Sequence, residues 1–199
     1  MRRSQILDAA RTLLLTHGIE NVSISKIARE AELGVGTIYF HYQNKEEIFI
    51  ALQEEGLSIL FSMVCQISEQ PVSPEDKLRR VASAYYDFSG TQSEYYNIIN
   101  YFLSSPKVFF EADLKHRVDM SGGRILSKIR EIVEEGETKG VFREDDPGKF
   151  SVMFWGTLHG LIQFKKLTPG TLGNQGHREI YDYSAEKLIR SLIPEKKER

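Results

Sequence analysis

The sequence predicts an all-α protein of about nine helices, a small N-terminal three-helix domain followed by a larger helical one. Three observations carry this. Apolar residues recur at helical spacing along the chain, and no stretch alternates as a strand would. Capping residues, glycines and prolines cut the chain into pieces of helix length. The stretch Ser23 to Phe49 reads as two short helices joined by a Gly-marked turn, with a new helix start at Asn44-Lys45. Two short helices across a tight turn are the geometry that lowers one helix into the major groove of DNA.

Taken in order, Ile6, Ala9, Ala10, Leu13 and Leu14 share one face of a first helix that His17-Gly18 ends. Ser23 caps the second, although Lys26 stands where a capping box would place Glu. Ile24, Ile27, Ala28 and Ala31 are its apolar stripe. Gly34 and Gly36 permit a sharp turn and a close approach of backbone to DNA. The next helix, Val35 to about Tyr42, has only about two turns and is too short to be stable alone. Neighbours must hold it through Ile38 and one of Phe40 or Tyr42, which leaves Val35, Gly36, Thr37, Tyr39 and His41 facing outward. Asn44-Lys-Glu-Glu47 caps a helix from Lys45 to about Glu69, and a lysine on a helix N-terminus is a phosphate clamp. The candidate DNA contacts are Ser23, Ser25, Lys26, Val35, Gly36, Thr37, Tyr39, His41, Tyr42 and Lys45, in a motif at about 23–42.

Pro71, Ser73 and Pro74 break the fourth helix. Ser73-Pro74-Glu75-Asp76 opens a fifth, with serine as cap, proline in the first turn and acids at the positive end; it runs to about Ser89-Gly90. A helix follows from about Gln92 to Leu103, stopped by Ser104-Ser-Pro106. Another ends near Glu135, with a division at Gly122-Gly123 left open and a loop from Gly136 to Pro147 after it. Phe150 to Lys166 and Glu179 to Ile193 are the last two, separated by a linker at 168–176. The tail Glu195 to Arg199 reads as a solvated end.

Composition sets the limits. With 199 residues, 41% hydrophobic and 27% charged, the chain holds one or two soluble, globular domains. It shows no run of about 18 apolar residues for a membrane span. Met1-Arg-Arg leads straight into an amphipathic helix rather than a signal peptide, so the cytoplasm is the expected location. The single cysteine, Cys65, excludes an intrachain disulfide and a Cys-based zinc cluster, and near Phe61, Val64 and Ile67 it reads as a packed thiol. His17, His41, His116, His159 and His177 lack metal-ligand spacing. No phosphate-cradling loop or nucleophile elbow is present, so neither catalysis nor a cofactor is expected. Residues 1–45 hold six Lys/Arg against four acids, the rest 20 against 24. That asymmetry has the sign expected if the N-terminal end meets DNA, and it is weak alone.

Ile6-Leu-Asp-Ala-Ala10, His17-Gly18-Ile19, Ile27-Ala28, Thr37-x-Tyr39-x-His41-Tyr42 and Asn44-Lys-Glu-Glu47 resemble, in order and spacing, the N-terminal domain of the tetracycline-repressor (TetR/AcrR) family of bacterial transcription regulators. The family commonly has Ala-Gly-Val at the turn, where this chain has Ala31-Glu-Leu33 with Gly34 one place beyond. Ile132-Val-Glu-Glu-Gly136 with Gly140-Val-Phe-Arg143, and Trp155 to Gly160, are similar to the family's seventh and eighth helices. The resemblance implies a DNA-binding domain over 1–60 and a helical effector-binding and dimerisation domain over 61–199. It also implies a homodimer on a palindromic operator and, most often, repression relieved by a small molecule.

The aromatic segment Tyr85, Tyr86, Phe88, Tyr95, Tyr96, Tyr101, Phe102, Phe109 and Phe110 is either core or cavity lining. Its many hydroxyls raise the cavity reading level with the core reading, because buried Tyr OH groups need partners. Phe61, Cys65, Tyr85, Tyr86, Phe88, Tyr101, Phe102, Trp155 and His159 are therefore the candidate effector residues, for a mainly apolar or aromatic ligand. Phe150, Phe154, Leu158, Leu161 and Ile162, with Ile180, Tyr183, Leu188 and Leu192, form stripes for a four-helix dimer interface, Gly156 and Gly160 allowing close approach. The alternative is that both stripes close the monomer core. An alternative to ligand control is an adaptor of the same fold that acts through protein partners.

Overall fold

The computed structural model describes residues 2–104, 112–144, 146–167 and 176–194, and among them nine α-helices follow one another without a strand. They are α1 (Arg2–His17), α2 (Ile24–Glu30), α3 (Val35–His41), α4 (Lys45–Ser68), α5 (Pro74–Thr91), α6 (Ser93–Ser104), α7 (Ala112–Thr138), α8 (Pro147–Gln163) and α9 (His177–Ser191), with 3-10 turns at Ile19–Asn21 and Phe164–Leu167. Pro106, Phe109, Phe110, the linker at 168–175 and the tail at 195–199 lie outside the described residues.

The capping chemistry sets the starts. Ser23 Oγ accepts the Lys26 amide at 3.3 Å, and Ser73 Oγ accepts that of Asp76 at 3.2 Å. At α4 two bonds close the start: Asn44 Oδ1 accepts from Glu47 N at 2.8 Å, and Glu47 Oε2 accepts from the amide of Gln43, one residue before the cap, at 2.7 Å. Helix α8 begins earlier than the apolar pattern suggested, at Pro147, because Asp146 Oδ1 accepts the Lys149 amide at 2.9 Å and proline fills the first turn. Helix α7 is undivided at Gly122-Gly123 and runs past Glu135 to Thr138; Gly140, at φ 70°, then turns the chain.

The turn between α2 and α3 is made differently from the expectation. Glu32 holds the left-handed conformation, at φ 53°, while Gly34 is extended at φ −68° and caps α3. Leu33 N donates to Ala28 O at 2.8 Å and Glu32 N to Arg29 O at 3.1 Å. This is the paired closure of a helix C-terminus that ordinarily seats glycine. Glu32 thus occupies the place of the resembled family's turn glycine, and the register of α3 starts at Val35.

Two compact units are present. The first comprises the chain up to Ile59 together with 91–122. Its core is built on Ile6, Ala10, Leu13, Ile27, Ile38 and Phe49, with α1 packed on α2 and on α6. The second comprises residues 60–90 and those from 123 onward. There α8 packs on α9, and Val81, Tyr85 and Phe88 are buried with Ile129, Val133, Phe154 and Tyr181. Lys77, nearly buried, is neutralised by Glu135 at 2.7 Å.

Phe150, Phe154, Leu158 and Ile162 are buried within this unit, as is Leu192, so they close the monomer core and are no free interface stripe. The exposed apolar residues of α8 and α9 are Val152, Met153 and Tyr183. By length and composition α4 is apolar enough to cross a membrane, although Gln53, Glu54 and Glu55 interrupt its apolar run. Its apolar side chains Ile48, Phe49, Leu52, Leu60 and Val64 are buried in the protein, as in a core helix.

Candidate nucleic-acid interface and effector cluster

Helix α3 is held by Ile38, fully buried, and by Tyr42, 3% exposed. Of the two candidates for the second anchor, Phe40 and Tyr42, it is Tyr42 that is buried, so little of this candidate DNA contact projects from the surface. It follows the helix in extended conformation, and its hydroxyl accepts a bond from Arg3 Nε at 3.3 Å, with the guanidinium 5.0 Å over the ring. That bond holds the Arg3 pKa above its ordinary value. Phe40 takes the opposite part and is 84% exposed. Val35, Gly36 and Tyr39 are exposed as expected, and Thr37 and His41 are half-buried. His41 sets its ring edge-on to Phe40 at 5.1 Å.

Beside this helix two lysines converge on consecutive carbonyls. Lys26 Nζ donates to Asn21 O at 2.7 Å and Lys45 Nζ to Val22 O at 3.5 Å, the latter 5.8 Å over the Phe49 ring. An ammonium has three donors, so a carbonyl bond positions the charge without exhausting it. Ser23 and Ser25 are exposed at the start of α2. The geometry presents an uncharged, largely apolar helix face with cations nearby, which suits a groove edged by phosphates.

In the second unit the aromatic residues fall into separate groups. Tyr85, fully buried, places its hydroxyl 2.6 Å from His159 Nδ1 and its ring 4.1 Å from that of half-buried Trp155. Burial pushes the His159 pKa below the ordinary imidazole value. Tyr86 reaches His177 Nδ1 at 3.2 Å, meets Tyr181 edge-on, and lies under Arg178 at 4.5 Å and Lys165 at 5.3 Å. His177, Arg178 and Tyr181 escaped the sequence reading because their partners on α5 lie some ninety residues away. Phe88 is buried, Cys65 is half-buried, and Phe61 carries Arg124 4.0 Å over its ring. Tyr101 and Phe102 belong to the first unit, where they pack edge to face at 5.5 Å.

Of the hydroxyls that point to a cavity in the sequence, those of Tyr85 and Tyr86 meet histidines and that of Tyr95 meets Arg11 and Glu55. Tyr181, outside that segment, donates to Ala82 O at 2.8 Å. Two open surface grooves, one around Ser4, Asp8, Thr12 and Glu32 and one around Ser73, Lys77, Glu135 and Lys139, contain none of the candidate effector residues.

Residues 6–52 match the family model of bacterial regulatory proteins, tetR family. A fatty acid metabolism regulator protein of Bacillus subtilis is 32% identical over 82 residues, covering 41% of this chain and 42% of that one. The HTH-type transcriptional activator FasR of Mycolicibacterium smegmatis is 28% identical over 109 residues, covering 54% of this chain and 50% of that one. The chain thus spans about half the length of these curated relatives. The crystal structure of the transcriptional regulator FadR from Bacillus subtilis, in complex with stearoyl-CoA, superposes with a TM-score of 0.71 at 21% identity, covering 96% of this chain and 97% of that one. At that identity the likeness establishes the fold.

Proposed function

We propose that this chain, whose residues 6–52 match the family model of bacterial regulatory proteins, tetR family, is a homodimeric transcription regulator of that family, released from a palindromic operator by a small, mainly apolar molecule. The observation that carries DNA binding is α3 itself. It is a two-turn helix anchored by Ile38 and Tyr42, its other side turned outward beside Lys26 and Lys45. Thr37 and the backbone at Val35-Gly36 approach base edges; Tyr39, His41, Lys45 and the Ser23–Lys26 helix start meet the sugar-phosphate backbone.

The effector site is proposed within the second unit, around Tyr85, Trp155 and His159, with Phe61, Cys65, Tyr86 and Phe88 as its wider setting. A buried Tyr–His pair beside an indole offers one polar handle in apolar surroundings, which suits a ligand with a long apolar part and a single polar head. A fatty acyl thioester is the first candidate, since one relative is named for fatty acid metabolism and a structural neighbour holds stearoyl-CoA. The dimer is proposed to use the outer side of α8 and α9, with Val152, Met153 and Tyr183 exposed and open space at Gly156 and Gly160.

The test begins with duplexes enriched by the purified chain from a random library, followed by titration of the complex with stearoyl-CoA and free fatty acids. Native mass spectrometry would identify any co-purifying molecule. Release by an acyl compound, weakened in Tyr85→Ala and Trp155→Ala variants that still dimerise, supports the reading. Equal release in all three proteins places the effector elsewhere. A complex indifferent to every small molecule favours the adaptor. A ligand-dependent gain of binding would make the protein an activator or corepressor-dependent regulator.

A further inference from the structure

Helix α3 reads Val35-Gly-Thr-Ile-Tyr-Phe-His41. It carries no Arg, Lys, Asn or Gln, the side chains whose paired bonds identify guanine or adenine in the major groove. What it exposes is apolar. Phe40, at 84%, is the most exposed of the large apolar side chains described, and within the same helix Tyr39 and Val35 are exposed at 55% and 41%.

The helix geometry puts these groups in a definite arrangement. Ile38 marks the buried side. At about 100° per residue, Gly36 and Phe40 stand some 160° from it on either hand and form the centre of the outward face. A helical side chain leans toward the N-terminus, here the direction of the turn that holds Gly36, and the Phe40 ring stands edge-on to that of His41 at 5.1 Å. A Cβ on Gly36 would meet no atom within 4 Å, so that place is open. The glycine leaves room in front of the ring, and an exposed ring of this size leaves apolar area in water that a ligand would cover.

We infer that α3 reads its operator through the 5-methyl groups of thymine, with Phe40 as the central contact and Val35 and the Thr37 methyl beside it. Thymine alone presents a methyl group in the major groove, and apolar side chains are its natural partners. Lys26 and Lys45, held at Asn21 and Val22, are left to the phosphates, which position the protein but carry no base identity. Specificity of this kind selects thymine at defined steps and needs no guanine contact from α3. The inference deepens the reading of the chain as a DNA-binding regulator and rests on it.

Duplexes enriched by the full chain supply the probes. Each thymine of a half-site is replaced in turn by deoxyuridine, which removes the methyl and keeps the hydrogen-bonding edge. Wild type, Phe40→Ala and Phe40→Leu are compared; with the ring this exposed, neither substitution disturbs the core. At one or more positions wild type should lose about fourfold in affinity per methyl, the equivalent of ~0.8 kcal/mol at 1.4 kcal/mol per tenfold. In Phe40→Ala that loss should vanish at the central position, and Phe40→Leu should retain part of it. The inference is overturned if no deoxyuridine weakens binding, or if the loss is the same in wild type and Phe40→Ala. Failure to enrich any duplex would instead overturn the regulator reading, and this inference with it.

Discussion

Alanine in place of Gly136 should destabilise the protein, although alanine inside a helix ordinarily stabilises it by about 1 kcal/mol over glycine. The reason is Phe142. A Cβ on Gly136 would stand 2.0 Å from Cδ2 and 2.6 Å from Cγ of that ring. The ring cannot simply withdraw, because Val141 and Phe142 both donate their amides to Gly136 O, at 2.9 and 3.1 Å, and Phe142 is only 4% exposed. Relief requires the ring to leave its seat, which forfeits the roughly 2–3 kcal/mol that burial of a phenylalanine supplies. Set against the propensity gain, the net is a loss of about 1–2 kcal/mol, or roughly 2–8 °C in Tm for a chain of this length. Gly122 and Gly123 lie in the same helix and would meet nothing within 4 Å, so alanine at either should stabilise by about 0.5–1 kcal/mol. Urea and thermal unfolding at one fixed protein concentration read both signs. A rise in Tm for Gly136→Ala, or a comparable fall for Gly122→Ala, would refute the packing of Phe142 on bare backbone.

Glu32→Gly should stabilise by about 0.5–1 kcal/mol, because φ 53° strains any side chain with a Cβ; unfolding midpoints of the two proteins decide it. Lys45→Ala should weaken binding to all duplexes about equally and flatten the salt dependence by about one unit of slope, whereas Thr37→Ala should relax sequence preference; salt titrations on enriched and scrambled duplexes would separate them. Met153→Glu should give folded monomers by sedimentation, since Met153 is exposed, while Phe154→Ala should cost about 3–5 kcal/mol of fold stability. His159 is held below the imidazole value of 6.5 by burial, so the unfolded chain takes up the proton first as pH falls. Its contribution is therefore full above about pH 6.5 and declines from there down to the lowered folded value. His159→Gln should flatten stability against pH between 7.5 and 5.5, and an unchanged slope would refute the assignment.

What could be read from the sequence was mostly what short-range hydrogen bonds decide. Ser23, Asn44 with Glu47, and Ser73 before Pro74 each set a helix start within a residue, because cap and amide lie three residues apart. Asp146-Pro147 is the same chemistry and was equally legible, but the apolar run beginning at Phe150 drew the boundary inward. The continuity of α7 across Gly122-Gly123 was not local. Ile125, Ile129, Ile132 and Val133 are buried along it, and that packing offsets the propensity lost at two glycines.

At the candidate site the outward face of α3 was legible except at its end. Tyr42 lies one residue past the helix at φ −144°, ψ 129°, where the helical wheel no longer says which way a side chain points. Phe40 obeyed the wheel, but its apolar character argued the other way, and here that character is informative. The partners of the tyrosine hydroxyls were out of reach: His159 is 74 residues from Tyr85, and Arg11 is 84 from Tyr95.

Tyr95 also explains why the compact unit around α3 does not end where the family match ends, at residue 52. A Cβ on Gly56 would lie 2.6 Å from that of Tyr95, so only the absence of a side chain lets α6 seat this closely on α4. The Tyr95 hydroxyl accepts from Arg11 Nη1 on α1 at 2.7 Å and donates to Glu55 on α4 at 3.2 Å. Burial pushes its pKa up, which keeps the donor proton in place. Arg11 is in turn paired with Asp8, and α7 adds a two-point bond from Arg117 to Glu54 at 2.8 and 2.6 Å. One hydroxyl thus ties α1, α4 and α6. Helix α3, too short to stand alone, packs on α2, which packs on α1, and Tyr42 just past α3 bonds to Arg3 of α1. A residue more than fifty positions further along the chain thus helps to hold α1, on which that arrangement rests, and α6 belongs to the foundation of the proposed DNA-binding surface although no DNA contact is assigned to it.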